Sequence, residues 1–193
     1  SDPTTYTDAL INTGIANIAG DTLASTGSLE NYNVANLSQD GANKVTFDAG
    51  ATISGSGTTY LVSGQTIFNN TVNTNTVKVA SGADFDGALS GGTLDTHNGT
   101  IDTITGSFGG GALVLDAKFA ATNTATNSTI DTLGGNTGTI KELNILGTSY
   151  GDANTVSLGI GSATLDPNVQ INGMNYYTKV EQNGTDLVFS DKL

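Results

Sequence analysis

Residues 77–87, V-K-V-A-S-G-A-D-F-D-G, repeat residues 45–55, V-T-F-D-A-G-A-T-I-S-G, at an offset of 32. The two stretches share Val, then Phe or Val two positions on, then Gly-Ala, then Ile or Phe, then Gly, while the residues between change freely. Val45, Phe47 and Ala49 alternate with Thr46 and Asp48, and Ala51 and Ile53 with Thr52 and Ser54, so each copy reads as two half-buried strands bent at Gly50 or Gly82. One such unit cannot bury its apolar face alone. Stacked units share a continuous core, which is the logic of a solenoid. The inward sets Val45, Phe47, Ile53 and Val77, Val79, Phe85 are expected to stack in register within one core.

Composition points the same way. The 193 residues suffice for one domain with a real core. Only 12% are charged and 36% hydrophobic, against roughly 25% and 45% in ordinary globular chains. Polarity comes instead from Thr, which favours strands, and from Asn and Gly, which supply turns. The six basic residues are all Lys and face eighteen acids, for a net charge of −12. Phosphate binding needs clustered Lys and Arg, so nucleic acid is excluded as an expected partner. There is no Cys for a disulfide framework or thiolate site, and no apolar run approaches the roughly 20 residues of a membrane span. The start, Ser1-Asp2-Pro3, lacks signal-peptide character and reads as a fragment boundary.

Outward from the repeat, Leu10, Ile11, Ile15 and Ile18 allow a short helix behind an Asp8 N-cap, but Gly14 and Gly20 favour strands. Tyr32–Gln39 reads as another strand pair before an Asp40-Gly41 turn, and Thr58–Phe68 as strands either side of Gly64. A second family, Gly92–Thr96, Gly99–Ile104, Ser128–Leu133 and Gly138–Leu143, recurs at uneven intervals, as coils of varying length would. Ala112–Phe119 is the most strand-like run, and Ala120–Ser128 reads as an outward loop. Residues 169–190 read as three antiparallel strands with Asn172-Gly173 and Asn183-Gly184 at type I′ turns. The expected organisation is a body over 1–168 and a hairpin cap over 169–193 bearing Tyr176, Tyr177 and Phe189. The fold class is then all-β, a right-handed parallel β-helix closed by a C-terminal antiparallel hairpin cap. A β-sandwich is the alternative, since short strands with frequent turns also fit it.

The run Ile11–Asn31 with its Asn-x-Gly step, the Gly-Thr-Ile coils and the closing I-N-G-M-N-Y-Y-T-K-V-E-Q-N-G-T-D-L-V-F-S resemble the passenger region of bacterial type V autotransporters and related β-solenoid adhesins. The resemblance covers most of the chain and implies a solenoid exposed at a bacterial surface or secreted. The translocator barrel of that family is not in the sequence.

No catalytic, cofactor-binding or metal residue is nominated. His97, the sole histidine, sits in T-H-N-G and reads as an exposed turn residue, and no G-x-S-x-G elbow accompanies it. Asp84-x-Asp86-Gly87 lacks the further ligands of a calcium loop and reads as solvated turn acids, so stability should not depend on calcium. With no Arg, a uronate-binding lyase is disfavoured, while a paired-carboxylate glycosidase stays open because any two of the acids can meet in space. In Thr71–Val77 either face can lie outward, and the Thr pattern reads as a single occurrence rather than a ladder. The sequons Asn69-Asn70-Thr71 and Asn127-Ser128-Thr129 carry little meaning in a bacterial chain. The leading functional reading is a non-enzymatic module of a bacterial surface or secreted protein. It would work in adhesion to a host or bacterial cell-surface glycan or protein, or in self-association. A carbohydrate-processing enzyme on the same scaffold and a surface-layer or fibre protein are the competing readings.

Overall fold

The computed structural model describes residues 4–23, 27–38, 44–119, 128–147 and 153–193. The regular elements there are all strands, and they run in coils. The first coil holds β1 (Thr5–Tyr6), β2 (Leu10–Asn12) and β3 (Ile15–Ala19). The second holds β4 (Thr22–Leu23), β5 (Leu29–Asn31) and β6 (Val34–Ser38), and the third β7 (Val45–Phe47), β8 (Thr52–Ser54) and β9 (Thr58–Leu61). Then follow β10 (Gly64–Asn73) with β11 (Thr76–Val79), β12 (Ala83–Ser90) with β13 (Thr93–Asp95), and β14 (Thr103–Ile104), β15 (Ser107–Gly109) and β16 (Ala112–Phe119). The last part contains β17 (Ser128–Ile130), β18 (Thr132–Leu133), β19 (Thr139–Leu146), β20 (Val156–Gly159), β21 (Thr164–Asn172), β22 (Tyr177–Asn183) and β23 (Asp186–Lys192).

The strands stack in parallel into three walls. One wall runs β1-β4-β7 onto the first half of β10 and of β12. A second runs β2-β5-β8 onto the second half of β10 and then, through β12, to β15. The third is the longest, β3-β6-β9-β11-β13-β16-β19-β21. Parallel walls joined coil after coil make this a parallel β-solenoid, and they rule out the β-sandwich, which is built from antiparallel sheets.

The repeat that links Val45 to Val77 is not the coil. Val45 pairs with Thr66, and Thr66 in turn with Phe85, so the residue two rungs from Val45 in the first wall is Phe85 and not Val77. Val45 and Phe47 lie in the first wall and Val77 and Val79 in the third; Ile53 lies in the second and Phe85 in the first. All six are buried in one core, but the expected register between them is wrong. Each wall alternates inward and outward residues in the same way, so a segment from one wall resembles a segment from another. What stacks is Phe47 on Phe68, with ring centroids 5.2 Å apart, and Phe68 on Phe85 at 5.0 Å.

Corners explain much of the Asn and Gly content. Where the chain enters the third wall, Asn12, Asn31, Asn73 and Asn136 each accept a hydrogen bond through Oδ1 from the N–H two residues on, at 2.9–3.2 Å. Such Asx turns bend the chain without the aid of a hairpin. Asn12 also donates to Asn31 of the next coil at 2.8 Å, so neighbouring corners lock together. The residue just before each third-wall strand must be small at several rungs: a Cβ on Gly57 would lie 2.3 Å from the carbonyl oxygen of Asn33. At the other corner Asn70 takes φ 57° and the register of β10 shifts between Phe68 and Thr71. Thr71 and Asn73 therefore point inward and Val72 is 52% exposed, which answers the question of which face turns out.

The C-terminal reading needs correction. β21 is a parallel strand of the third wall, with Ile171 opposite Leu143 and Asn172 opposite Asn144. Asn172-Gly173 is thus a coil end and not a hairpin turn, and a boundary at 168/169 falls inside β21. The antiparallel sheet consists of β20, β23 and β22 in that order, and only β22–β23 is a tight hairpin. Asn183 pairs with Asp186, so the two central turn residues are Gly184 and Thr185, and of these Gly184 alone has positive φ, 62°. That is the type II′ pattern, with Gly at the first central position, rather than type I′. The hairpin buries Tyr177, Leu187 and Phe189 against Phe119, Val156 and Leu158, while Tyr176 is 37% exposed. Asp40-Gly41, residues 120–127 of the expected loop and Asn127 of the second sequon lie outside the described residues.

Candidate functional site

Two features face outward from the third wall. The first is a column of side chains at one register position: Ile15, Val34, Thr58, Thr76, Thr93, Ala112, Thr139 and Thr164. Thr58, Thr76 and Thr93 occupy consecutive rungs, and Thr139 and Thr164 two more, their hydroxyls 3.2 Å apart. Threonines thus recur at five of the eight rungs, in one run of three and one of two, where Thr71–Val77 alone reads as a single occurrence. A second column stands two residues along in the first six strands, Asn17, Asn36, Tyr60, Lys78, Asp95 and Val114, and continues past register shifts to Glu142 and Gln170. Its members pair among themselves: Asn36 donates to Asn17 at 2.9 Å and Lys78 meets Asp95 at 3.2 Å. Rungs of a parallel sheet are about 4.8 Å apart, so the wall displays chemically mixed groups at a fixed interval.

The second feature lies over β16. Asp116 interrupts the run A-L-V-L-D-A-K-F and faces away from the core, yet it is wholly buried. Residues 97–99 cover it. With the proton on Nδ1, His97 donates to Asp116 Oδ1, and the N–H groups of Asn98 and Gly99 donate to Oδ2 at 3.3 and 2.9 Å. Asp131, 3% exposed, stitches three segments together, accepting from the Thr96 hydroxyl at 2.7 Å, the Asp102 N–H at 2.8 Å and the Asp116 N–H at 3.2 Å. It also lines a cleft of about 290 Å³ whose walls include Leu115, Ile130, Leu133, Ile140 and Ile160. Burial pushes the Asp131 carboxyl up from 3.8 to about 6, outweighing the three donors that favour its anion. The Asp116 hydrogen bond raises the His97 imidazole above its ordinary 6.5.

The exposed turn residue expected at His97 is only half of what the structure shows. Its side chain is 46% exposed, but one ring nitrogen is fixed by a buried carboxylate, the arrangement that orients an imidazole in acid–base chemistry. Sequence reading does not single out Asp116 or Asp131, although an acid in the most apolar strand is an available signal. Both carboxylates are committed to backbone and hydroxyl donors, so they do not face each other across an open groove as a glycosidase pair does. Asp84 and Asp86 lie on β12 rather than in a turn, with Asp86 accepting from Gln65 at 2.9 Å and from the Gly87 N–H at 2.7 Å.

The buried acid has a consequence for stability. Unfolded, Asp131 releases its proton near 3.8, and folded it holds the proton to about 6. Its stabilising contribution is complete below the lower value and is lost as pH rises through the higher one. His97 acts in the same direction, present below 6.5 and lost above its raised pKa. Asp166, held low by Lys141, opposes this only in more acid solution, where its own contribution falls away. The melting temperature is expected to rise between pH 8 and pH 5. Asp131 should supply on the order of 1–1.5 kcal/mol of this, roughly 3–6 °C in a domain of this size. Melts of wild type and Asp131→Asn across that range check it, because the variant should give the flatter curve; parallel curves would remove Asp131 as the cause.

No protein family, curated protein or solved structure matches the chain. The class that the fold defines is the parallel β-solenoid with an antiparallel hairpin at its C-terminal end.

Proposed function

We propose that the chain is a non-enzymatic module of a bacterial surface or secreted protein, placed outside the cell, whose third wall makes adhesive contacts. Its partner is a glycan or protein of a host or bacterial cell surface, or another copy of the chain. The observation that carries this reading is the eight-stranded third wall with its two outward columns. Repeated groups at a fixed spacing on a stiff scaffold let many weak contacts act together, so useful avidity needs no deep pocket. The resemblance to autotransporter passengers and β-solenoid adhesins supports the same location. Thr58, Thr76 and Thr93 replaced together by Lys should abolish retention on immobilised surface glycans or cells, or abolish self-association in sedimentation, with the melting temperature within a few degrees of wild type. Unchanged retention and sedimentation would sink the assignment to this wall.

A second reading, a carbohydrate-processing enzyme, draws on the exposed imidazole of His97 held by buried Asp116. Turnover of any member of a polysaccharide panel that His97→Gln removes would favour it over adhesion. Ordered assembly of purified protein into sheets or fibres would instead favour a surface-layer or fibre role.

A further inference from the structure

Asn98 and Gly99 form one of three Asn-Gly pairs in the chain, with Asn172-Gly173 and Asn183-Gly184. We propose that Asn98 is a self-modification site. The backbone nitrogen of Gly99 attacks the side-chain carbonyl carbon of Asn98, and the resulting succinimide opens with water to an aspartyl or isoaspartyl residue at that position. In the first step a bond forms between Gly99 N and Asn98 Cγ, and the bond from Cγ to Nδ2 breaks. The proton lost by Gly99 N ends on the departing nitrogen, which leaves as ammonia. Water is the only other reactant, no electrons change hands, and Asn98 is only half-buried beside the exposed Gly99 and Thr100.

Each participant in that step already has a partner. The Gly99 N–H that must be lost donates at 2.9 Å to Oδ2 of Asp116, a wholly buried carboxylate. A carboxylate can take up the proton as the nitrogen attacks, which a carbonyl partner cannot do. On the electrophile, Asn98 Oδ1 accepts from the Thr100 N–H at 2.9 Å and from the Thr100 hydroxyl at 2.6 Å. Two donors stand where negative charge develops as the tetrahedral centre forms. On the leaving side, Asn98 Nδ2 donates to Asp102 Oδ2 at 3.0 Å, which favours positive charge on the departing nitrogen. Gly99, at φ 82°, has no atom beyond its chain neighbours within 4 Å of a Cβ position, so no other segment packs against that side of it.

The other two pairs sit in different surroundings. Asn172 donates to Glu142 and Asn144 within the parallel ladder, and a Cβ on Gly173 would lie 2.5 Å from the Ile145 carbonyl oxygen. Asn183 is held opposite Asp186 in the hairpin ladder. They serve as comparators inside the same molecule. Conversion at Asn98 adds a negative charge beside Asp102 and Asp116, and in its isoaspartyl form lengthens the backbone of the segment that covers Asp116. It is a one-way change of that cover.

The experiment incubates the full chain at neutral pH, folded and in urea, and follows the three sites by peptide mass spectrometry through the gain in mass from amide to acid. In the folded protein Asn98 should convert several-fold faster than Asn172 and Asn183, and in urea the three rates should converge. Thr100→Ala, at an exposed position, should slow Asn98 several-fold and leave the other two sites unmoved. Conversion of Asn98 no faster in the folded chain than in urea would mean that the Asp116 bond protects the nitrogen, and would overturn the proposal. So would an unchanged Asn98 rate in Thr100→Ala.

Discussion

Removal of residues 174–193 is expected to turn the protein into an aggregating species. The segment supplies β22 and β23, and with them Tyr177, Leu187 and Phe189, each at most 1% exposed. Phe189 and Tyr177 meet the ring of Phe119 edge-on at centroid distances of 4.8 and 6.1 Å, and the Tyr177 hydroxyl donates to the Ala153 carbonyl at 3.0 Å. Burying each such side chain contributes about 1.5–3 kcal/mol, so the truncation forfeits a large part of the stability of any single domain. It also strips β20 of its antiparallel partner β23 and bares Phe119, Val156 and Leu158 beside an unpaired strand edge. Exposed apolar groups next to an open edge invite pairing with another chain. Size-exclusion chromatography and thermal melts of the truncated chain check this. A soluble monomer melting within a few degrees of wild type would show the hairpin to be dispensable. A cut at Pro167 is a poorer test, because it divides β21 and so removes a rung of the third wall as well.

The architecture is legible in the sequence where chemistry repeats from rung to rung. In-out alternation, scarce charge and abundant Thr, Asn and Gly are what a chain of short stacked strands requires, and together they specify a solenoid. Gly184 is also legible as a turn, although the loop centres one residue later than an Asn-Gly type I′ turn would place it. Register is not legible, because the coil step from Thr76 to Thr93 is far shorter than that from Glu142 to Gln170, so no fixed offset aligns the rungs. That same unevenness hides the threonine column, whose members are single residues on strands far apart in sequence. Asn172-Gly173 misleads for a different reason. The Asn-Gly pair suits any bend with positive φ, and a coil end needs one as much as a hairpin does. The cluster around Asp116 is hidden because its cover comes from the 97–102 segment and from Asp131, neither adjacent to it in the chain. The signal available is local: an acid inside a strand whose neighbours on both sides are buried.

Phe68→Ala is expected to be the most damaging single truncation in the first wall. Its ring lies between those of Phe47 and Phe85, at 5.2 and 5.0 Å, and it is wholly buried. Removing a buried Phe side chain costs about 3–5 kcal/mol, the upper part of that range applying where neighbours cannot collapse into the space. Here they cannot readily do so, because Phe47 and Phe85 sit on rungs whose spacing is fixed by backbone ladders on either side of β10. A loss of about 4 kcal/mol corresponds to roughly 8–16 °C in melting temperature for a domain of this length. Phe47→Ala removes one ring contact where Phe68→Ala removes two, so it should cost less. The stack also makes a claim about coupling. Phe47→Ala combined with Phe68→Ala should deviate from additivity by about 0.5–1.5 kcal/mol, the worth of a ring pair beyond its buried area. Phe47→Ala combined with Phe189→Ala, at the far end of the core, should add within about 0.5 kcal/mol. Chemical-denaturation curves for the two cycles decide the matter: coupling in the second cycle equal to that in the first, or none in either, would mean that Phe47 and Phe68 do not stack as neighbouring rungs.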